Sequence, residues 1–292
     1  MLTWLREALR EVAPEMADGV IVPRGLDVDA DPEWSAATAV VGGEFVVKFA
    51  WAEPAARRIR HQVRVLEALR VAAPRLPLPV VVKASTDPAL LVTRREPAVP
   101  FFDVRHLVTP AVAGDLATVL VDLHDPGVLT AVRAAIGPLP AAVAPGPDPR
   151  YELVAGPGRR ERVRSWCDWA DGVLARPGRQ VLVHGDFHGD NHLWDSESLR
   201  LRLIVDLETV GVGEPEFDMR CLPGDCGAEL FLATVAEYER LSGTAVDVDR
   251  VLAWHVRTVL ADALWRTEAG VALPGGRTPE QWIDDLEARL PM

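Results

Sequence analysis

The sequence predicts an α+β protein in which a small antiparallel-sheet lobe comes first and a larger, mostly helical lobe follows. Three observations support that class. Gly42-Gly43 separates the apolar runs Ala39–Val41 and Phe45–Phe49, the pattern of a hairpin. Two more strand-like runs, 80–82 and 90–93, follow before residue 97. Beyond it, helical spacing dominates, most plainly in the segments 228–241, 249–269 and 279–290. The boundary between an amino-terminal lobe of residues 1–97 and a carboxy-terminal lobe of residues 98–292 falls in TRREPAVP, where a strand ends in charge and proline and the proline stiffens the connector.

Composition limits the function. With 292 residues, 49% hydrophobic and 25% charged, the chain is an ordinary globular protein long enough for a full core. A net charge of −12 repels nucleic-acid phosphates and attracts cations, so no nucleic-acid partner is expected. Three cysteines without paired metal spacing read as free thiols in a reducing cytoplasm. No apolar run has the length of a membrane span, and Arg6, Glu7 and Arg10 stand where a signal core would lie, so a cytoplasmic protein with no membrane partner is expected.

In chain order, Leu2, Leu5, Leu9 and Val12 predict an amphipathic helix that covers a sheet. The hairpin follows, preceded by a loop around Ser35 to Thr38. In its second strand Lys48 lies in VVKFA, apolar on both sides, where an ammonium needs an anion. Pro54 opens a helix to about Val71, with Ile59, Val63 and Leu66 on its inward stripe and Gln62 within that stripe. After the strands, Leu116, Val119, Leu120 and Leu123 predict a helix that ends at His124, read as a core histidine. Residues 137–160, rich in proline and glycine, read as a long irregular insertion.

The chemistry concentrates in VLVHGDFHGDNHLWDSESLRLRLIVDLETVGVGEPEFD, residues 181–218. Polar residues at the ends of apolar strands sit at a cleft rim, where they converge without full desolvation. Two chemistries compete. In one, Asp186 takes a proton from a substrate hydroxyl while Asn191 and Asp206 hold magnesium against nucleotide phosphates. In the other, His184, His188 and His192 with the interleaved carboxylates bind zinc for a hydrolysis. The interval from Asp186 to Asn191, and a strand ending in Asp206 fifteen residues later, favour the first. Gly185 and Gly189 argue against the helix that zinc spacing usually needs.

HGDFHGDN followed by IVDLE and GEPEFD resembles the aminoglycoside phosphotransferase family, small-molecule kinases with the two-lobed protein-kinase fold. The resemblance implies Asp186 as catalytic base, Asn191 and Asp206 as magnesium ligands, and Asp218 as a brace for the loop. It implies phosphate contacts from Lys48 and from the Ser35 or Thr38 side chains or backbone amides of that loop, and an adenine site with Thr93 at its back, the Arg94 carbonyl and the Glu96 amide. The family commonly has GDP where Gly213, Glu214 and Pro215 stand. The helix that usually presents a glutamate to the strand lysine here offers Gln62, so Lys48 is expected to contact Gln62 or only the nucleotide, with Glu53 and Glu67 as rivals. The implied activity uses ATP (or GTP) and Mg2+ to phosphorylate a hydroxyl of a small polar or cationic molecule, an aminoglycoside-like antibiotic or related metabolite. Asp225, Glu229, Asp262, Glu268, Asp284 and Asp285 add carboxylates to the lobe expected to carry the acceptor site. A nucleotide-binding protein without transferase activity is the alternative from a different class, motivated by Gln62 and the loop lacking glycine.

Overall fold

The computed structural model describes residues 2–24, 36–142, 156–270, 272–273 and 276–289. In chain order these form α1 (Leu2–Val12), β1 (Ile21–Arg24), β2 (Ala36–Val41), β3 (Phe45–Ala50), α2 (Glu53–Ala72), β4 (Val81–Thr86), β5 (Ala89–Arg94), β6 (Val99–Pro100) and α3 (Phe101–Val104). There follow α4 (Ala113–Leu123), α5 (Pro126–Ile136), α6 (Pro157–Leu174), β7 (Val181–Val183), β8 (His192–Trp194), β9 (Leu201–Ile204) and β10 (Gly211–Gly213). The chain closes with α7 (Pro215–Met219), α8 (Leu222–Asp225), α9 (Gly227–Ser242), α10 (Val248–Ala269) and α11 (Pro279–Glu287).

Two compact units emerge, the first comprising Met1–Val104, Pro126–Leu139 and Asp190–Val210, the second the remainder. This division differs from a single cut at residue 97, because α5 packs along α2 and β8 pairs with β6.

The first unit is built on an antiparallel sheet of order β1-β2-β3-β5-β4. Gly42 and Gly43 take φ of +60° and +77°, values that a side chain disfavours, and so close the expected β2–β3 hairpin. Period-2 alternation sends Val47, Phe49, Leu90 and Val92 to one face, where Leu5 and Leu9 of α1 complete a buried cluster. Each leucine so buried contributes roughly 1.5–3 kcal/mol. Residues of the opposite parity, Lys48 and its cross-strand partners Thr38 and Leu91, share the other face. There α2 packs on β3, β4 and β5, burying Ile59, Gln62, Val63 and Leu66 as its inward stripe predicts.

In the second unit α4 packs on α9, and α10 packs on α6 and α11. The expected helices 228–241, 249–269 and 279–290 appear as α9, α10 and α11 with small shifts at their ends. Strands β7 and β10 pair antiparallel, and Val181 and Val183 pack against Phe217 and Trp254. Of the insertion read at 137–160, residues 143–155 lie outside the described residues, while Ala141 bridges Val212 and α6 begins at Pro157. Among the described residues no helix is long and apolar enough to cross a membrane.

His255 on α10 is buried and donates from Nδ1 to the Arg220 carbonyl at 2.7 Å. Burial, helped by the charge of Arg289, pushes its pKa from 6.5 down to about 4. The folded chain therefore keeps His255 neutral where the unfolded chain protonates, and the stability this represents is complete above 6.5 and lost as pH falls toward 4. Denaturant unfolding at pH 7 and at pH 5 should show a loss of about 2 kcal/mol that is absent in His255→Gln.

Candidate active site

The loop after β7 is shaped by one carboxylate in the second unit. Asp218, wholly buried on α7, accepts hydrogen bonds from the His184 N–H at 2.7 Å and the Gly185 N–H at 2.9 Å. His124 Nε2 meets it at 3.1 Å, and His124 Nδ1 meets the Tyr238 hydroxyl, also at 3.1 Å. Burial opposes ionisation of Asp218, yet the hydrogen bond from His124, the charges of His124 and His184 and the Gly185 amide together hold it below the usual carboxylate range. Gly185, at φ +84°, makes the turn that lets both amides face the same carboxylate. His124 is thus the buried core histidine that the sequence suggests, with a polar partner at each ring nitrogen.

Asp186 follows that turn with its side chain 42% exposed. Its carboxylate lies 3.3 Å from His188 Nε2 and 3.6 Å from Arg220 Nη2. Desolvation opposes its ionisation, but the His188 contact and the charges of His188, Arg220 and His184 outweigh it and lower the pKa. Asp186 is therefore an ionised hydrogen-bond acceptor open to solvent.

Arg220 is a site residue that the sequence does not announce. It is buried, donates at 2.8 Å to the carbonyls of Gly185 and Phe217, and lies 3.8 Å over the Phe217 ring. Its setting, an arginine in the apolar run MRCLP, is the signal that could have marked it. Asp225 accepts from the Gly189 N–H at 2.9 Å and pins the far end of the loop. Glu214, where the resembling family has aspartate, is gripped by the Arg250 guanidinium, with Nη2 to Oε1 at 2.5 Å.

In the first unit, β8 and β9 form an antiparallel hairpin with His192 opposite Ile204. Asn191 immediately precedes it and Asp206 closely follows, so residues fifteen apart in sequence share one end of the hairpin. The Val205 N–H donates to the Asn191 carbonyl at 2.9 Å and fixes that end. Asp206 has φ +62° and ψ +58°, a left-handed conformation that Asp tolerates better than most residues. Asn191 and Asp206 offer hard oxygen donors, a set that suits Mg2+.

Lys48 Nζ donates to Asp206 Oδ1 at 2.6 Å and lies 4.0 Å from Glu208 Oε2. The expectation that it contacts Gln62 or only nucleotide is corrected: its partner is the carboxylate after β9. A full charge attracts the ammonium more strongly than an amide dipole. Gln62 is buried as predicted, and its Oε1 has no hydrogen-bond partner. Neither rival reaches Lys48, since Glu53 pairs with Arg60 at 2.5 Å and Glu67 lines a groove between α2 and α5.

Ser35 lies outside the described residues, and Thr38 sits within β2 opposite Lys48 rather than in a loop. Thr93 is buried in β5 and donates from Oγ1 to the Val46 carbonyl at 3.4 Å. Arg94 is exposed at the end of β5, and the Glu96 carbonyl accepts from the Ala98 N–H at 2.9 Å. The zinc reading finds no support. His192 is buried with Nδ1 accepting from Trp194 Nε1 at 2.8 Å, and among the described residues no group of three or more His, Cys, Asp and Glu could hold a metal. Several acidic acceptor candidates are tied up, Asp262 by Arg266, Asp284 by Arg159 and Asp285 by Arg277. The cysteines are free thiols, and burial pushes the pKa values of Cys221 and Cys226 up, away from the reactive thiolate.

Comparison with known proteins identifies the family and the fold. A model of the phosphotransferase enzyme family matches residues 27–254. Viomycin phosphotransferase of Streptomyces vinaceus is 31% identical over 205 residues, which cover 65% of this chain and 71% of that one. The solved GDP and kanamycin complex of APH(2″)-IIIa superposes with a TM-score of 0.73 at 18% identity, covering 99% of this chain and 98% of that one. Macrolide 2′-phosphotransferase type I gives 0.65 at 18% identity, covering 99% and 96%. The fold is therefore protein-kinase-like α+β, with an antiparallel sheet in the amino-terminal region and a helical remainder.

Replacing Asp218 by Asn should cost about 3 kcal/mol in urea unfolding at neutral pH, the scale of a broken buried ion pair. Because the folded pKa is lowered from 3.8, this contribution is full above that value and lost as pH falls through the folded pKa, so wild type and variant should converge in acid.

Proposed function

Since the chain belongs to the phosphotransferase enzyme family, we propose that it transfers the γ-phosphoryl group of ATP or GTP, with Mg2+, to a hydroxyl of a small cationic molecule of the aminoglycoside or related antibiotic kind. The observation that carries this reading is Asp186, an ionised and reachable carboxylate on a loop fixed at Gly185 by Asp218 and at Gly189 by Asp225. Such a group accepts the hydroxyl proton as the oxygen attacks phosphorus, and its fixed loop keeps the geometry productive without reorganisation. Arg220 and His188 keep the carboxylate ionised while leaving it open to substrate.

Asn191 and Asp206 hold magnesium, which neutralises phosphate charge when bound. Lys48, on the sheet face that α2 covers, steadies the phosphates, with Thr38 beside it. Thr93, Arg94 and Glu96 border the base of the nucleotide. In this reading residues 1–97 form the nucleotide-binding lobe and residues 98–292 carry the base and the acceptor site, in a cytoplasmic setting.

For the acceptor, the net charge of −12 supports a cation, as do the viomycin and kanamycin named for the relatives. With Asp262, Asp284 and Asp285 already paired to arginines, the attraction comes from the field of the whole chain rather than from those carboxylates. A screen of cationic antibiotics should reveal acceptor-stimulated nucleotide turnover whose kcat/KM falls as salt rises; activity only on neutral acceptors, indifferent to salt, would discard the substrate class.

Asp186→Asn is expected to lower kcat by about 10²–10⁴-fold and leave the Kd for Mg-nucleotide within about threefold. Turnover that survives this substitution would remove Asp186 from the role of base.

A further inference from the structure

The α2 position that faces the sheet carries no charge, yet α2 still contributes to the environment of Lys48 by another route. Arg58, four residues before Gln62, reaches Glu208 with Nε at 3.3 Å from Oε1. Glu208 in turn places its other oxygen 4.0 Å from Lys48 Nζ. The short helical turn Leu207–Thr209 that carries Glu208 packs against α2, and His61 adds a hydrogen bond of 2.7 Å to the Val210 carbonyl just beyond it. Arg58, Glu208 and Lys48 thus alternate in charge from the helix to the strand, with side chains 25%, 23% and 17% exposed. Partial burial at this level keeps the interactions from full solvent screening.

We propose that Glu208 is a positioning residue that holds the Lys48 ammonium in the nucleotide-bound enzyme, fixed in turn by Arg58 of α2, in place of the carboxylate that the Gln62 position lacks. The inference rests on the phosphotransferase reading above. Asp206 is the nearest partner of Lys48, at 2.6 Å, but a carboxylate committed to magnesium gives up much of its charge to the metal. Among the described residues, Glu208 is then the anion left within reach of the lysine. Gln62 Oε1, buried without a partner, takes no part.

The test is a double-mutant cycle read as equilibrium binding of the magnesium complexes of the non-hydrolysable analogues of ATP and GTP, by calorimetry. If wild type binds neither, the phosphotransferase reading fails and the role of Glu208 falls with it. If it binds one, Glu208→Gln, close to isosteric, should weaken that binding about tenfold, the scale of one charge-assisted contact. The same change in a Lys48→Met background should cost less than about twofold, because the residue it acts through is gone. Arg58→Gln should reproduce part of the loss, and Glu208→Asp should retain more affinity than Glu208→Gln. Raising magnesium should not restore Glu208→Gln. An equal loss in both lysine backgrounds, rescue by excess magnesium, or no loss at all would overturn the proposal; thermal unfolding of each variant confirms that the comparison is between folded proteins.

Discussion

Asp218 is excluded from water and remains a carboxylate because three groups converge on it: the His184 and Gly185 backbone amides and the His124 ring. An uncompensated charge at that depth would cost several kcal/mol, so the groups that satisfy it cannot drift independently. The His184 and Gly185 amides belong to the residues just before Asp186, and Arg220, two residues after Asp218, clamps the Gly185 carbonyl. Asp218 and Arg220 thereby fix the N–H and the carbonyl of Gly185, the residue just before Asp186. The polar core is also self-consistent, since His124 finds a second partner in Tyr238 and does not leave a ring nitrogen stranded.

The surroundings of Lys48 follow a different logic. A lysine in a strand with apolar neighbours must be answered by negative charge, and the chain supplies it from the segment after β9 instead of from the helix that covers the sheet. The helix directs one cation, Arg58, at Glu208 and keeps the neutral Gln62 where the resembling family presents a carboxylate.

Much of this architecture could be read from the chain. The Gly-Gly hairpin, α1, α2 and the three carboxy-terminal helices have periodicities long enough to fix both type and burial, and α2 departs by a single residue at each end. Asp186, Asn191 and Asp206 stood out because their spacing has a chemical meaning. What stayed hidden depends on tertiary contact. α6 is rich in arginine and begins in a proline-glycine tract, so its inward set Val163, Trp166, Cys167 and Ala170 is diluted by charge, although the i, i+3, i+4, i+7 spacing is present. β8 is too short for an alternation to register. The partner of Lys48 could not be found by extending the pattern of one helix, because it comes from a residue 158 positions away.

The hairpin of β8 and β9 carries a further implication. Its turn, Asp195 to Arg200, is organised locally by Asp195, which accepts from the amides of Glu197 and Ser198. That turn closes the end of the ladder opposite to the one shared by Asn191 and Asp206. Lengthening or shortening both strands together would move the turn outward or inward and leave the two oxygen-bearing residues where they are, provided the pairing of His192 with Ile204 is kept. The interval of fifteen residues is therefore set by the length of one ladder, while the chemistry needs the two residues to share the end of that ladder. In descendants of this chain, loop insertions should accumulate at 195–200 without penalty at the site, whereas deletion of a single residue from either strand should separate Asn191 from Asp206 by shifting register.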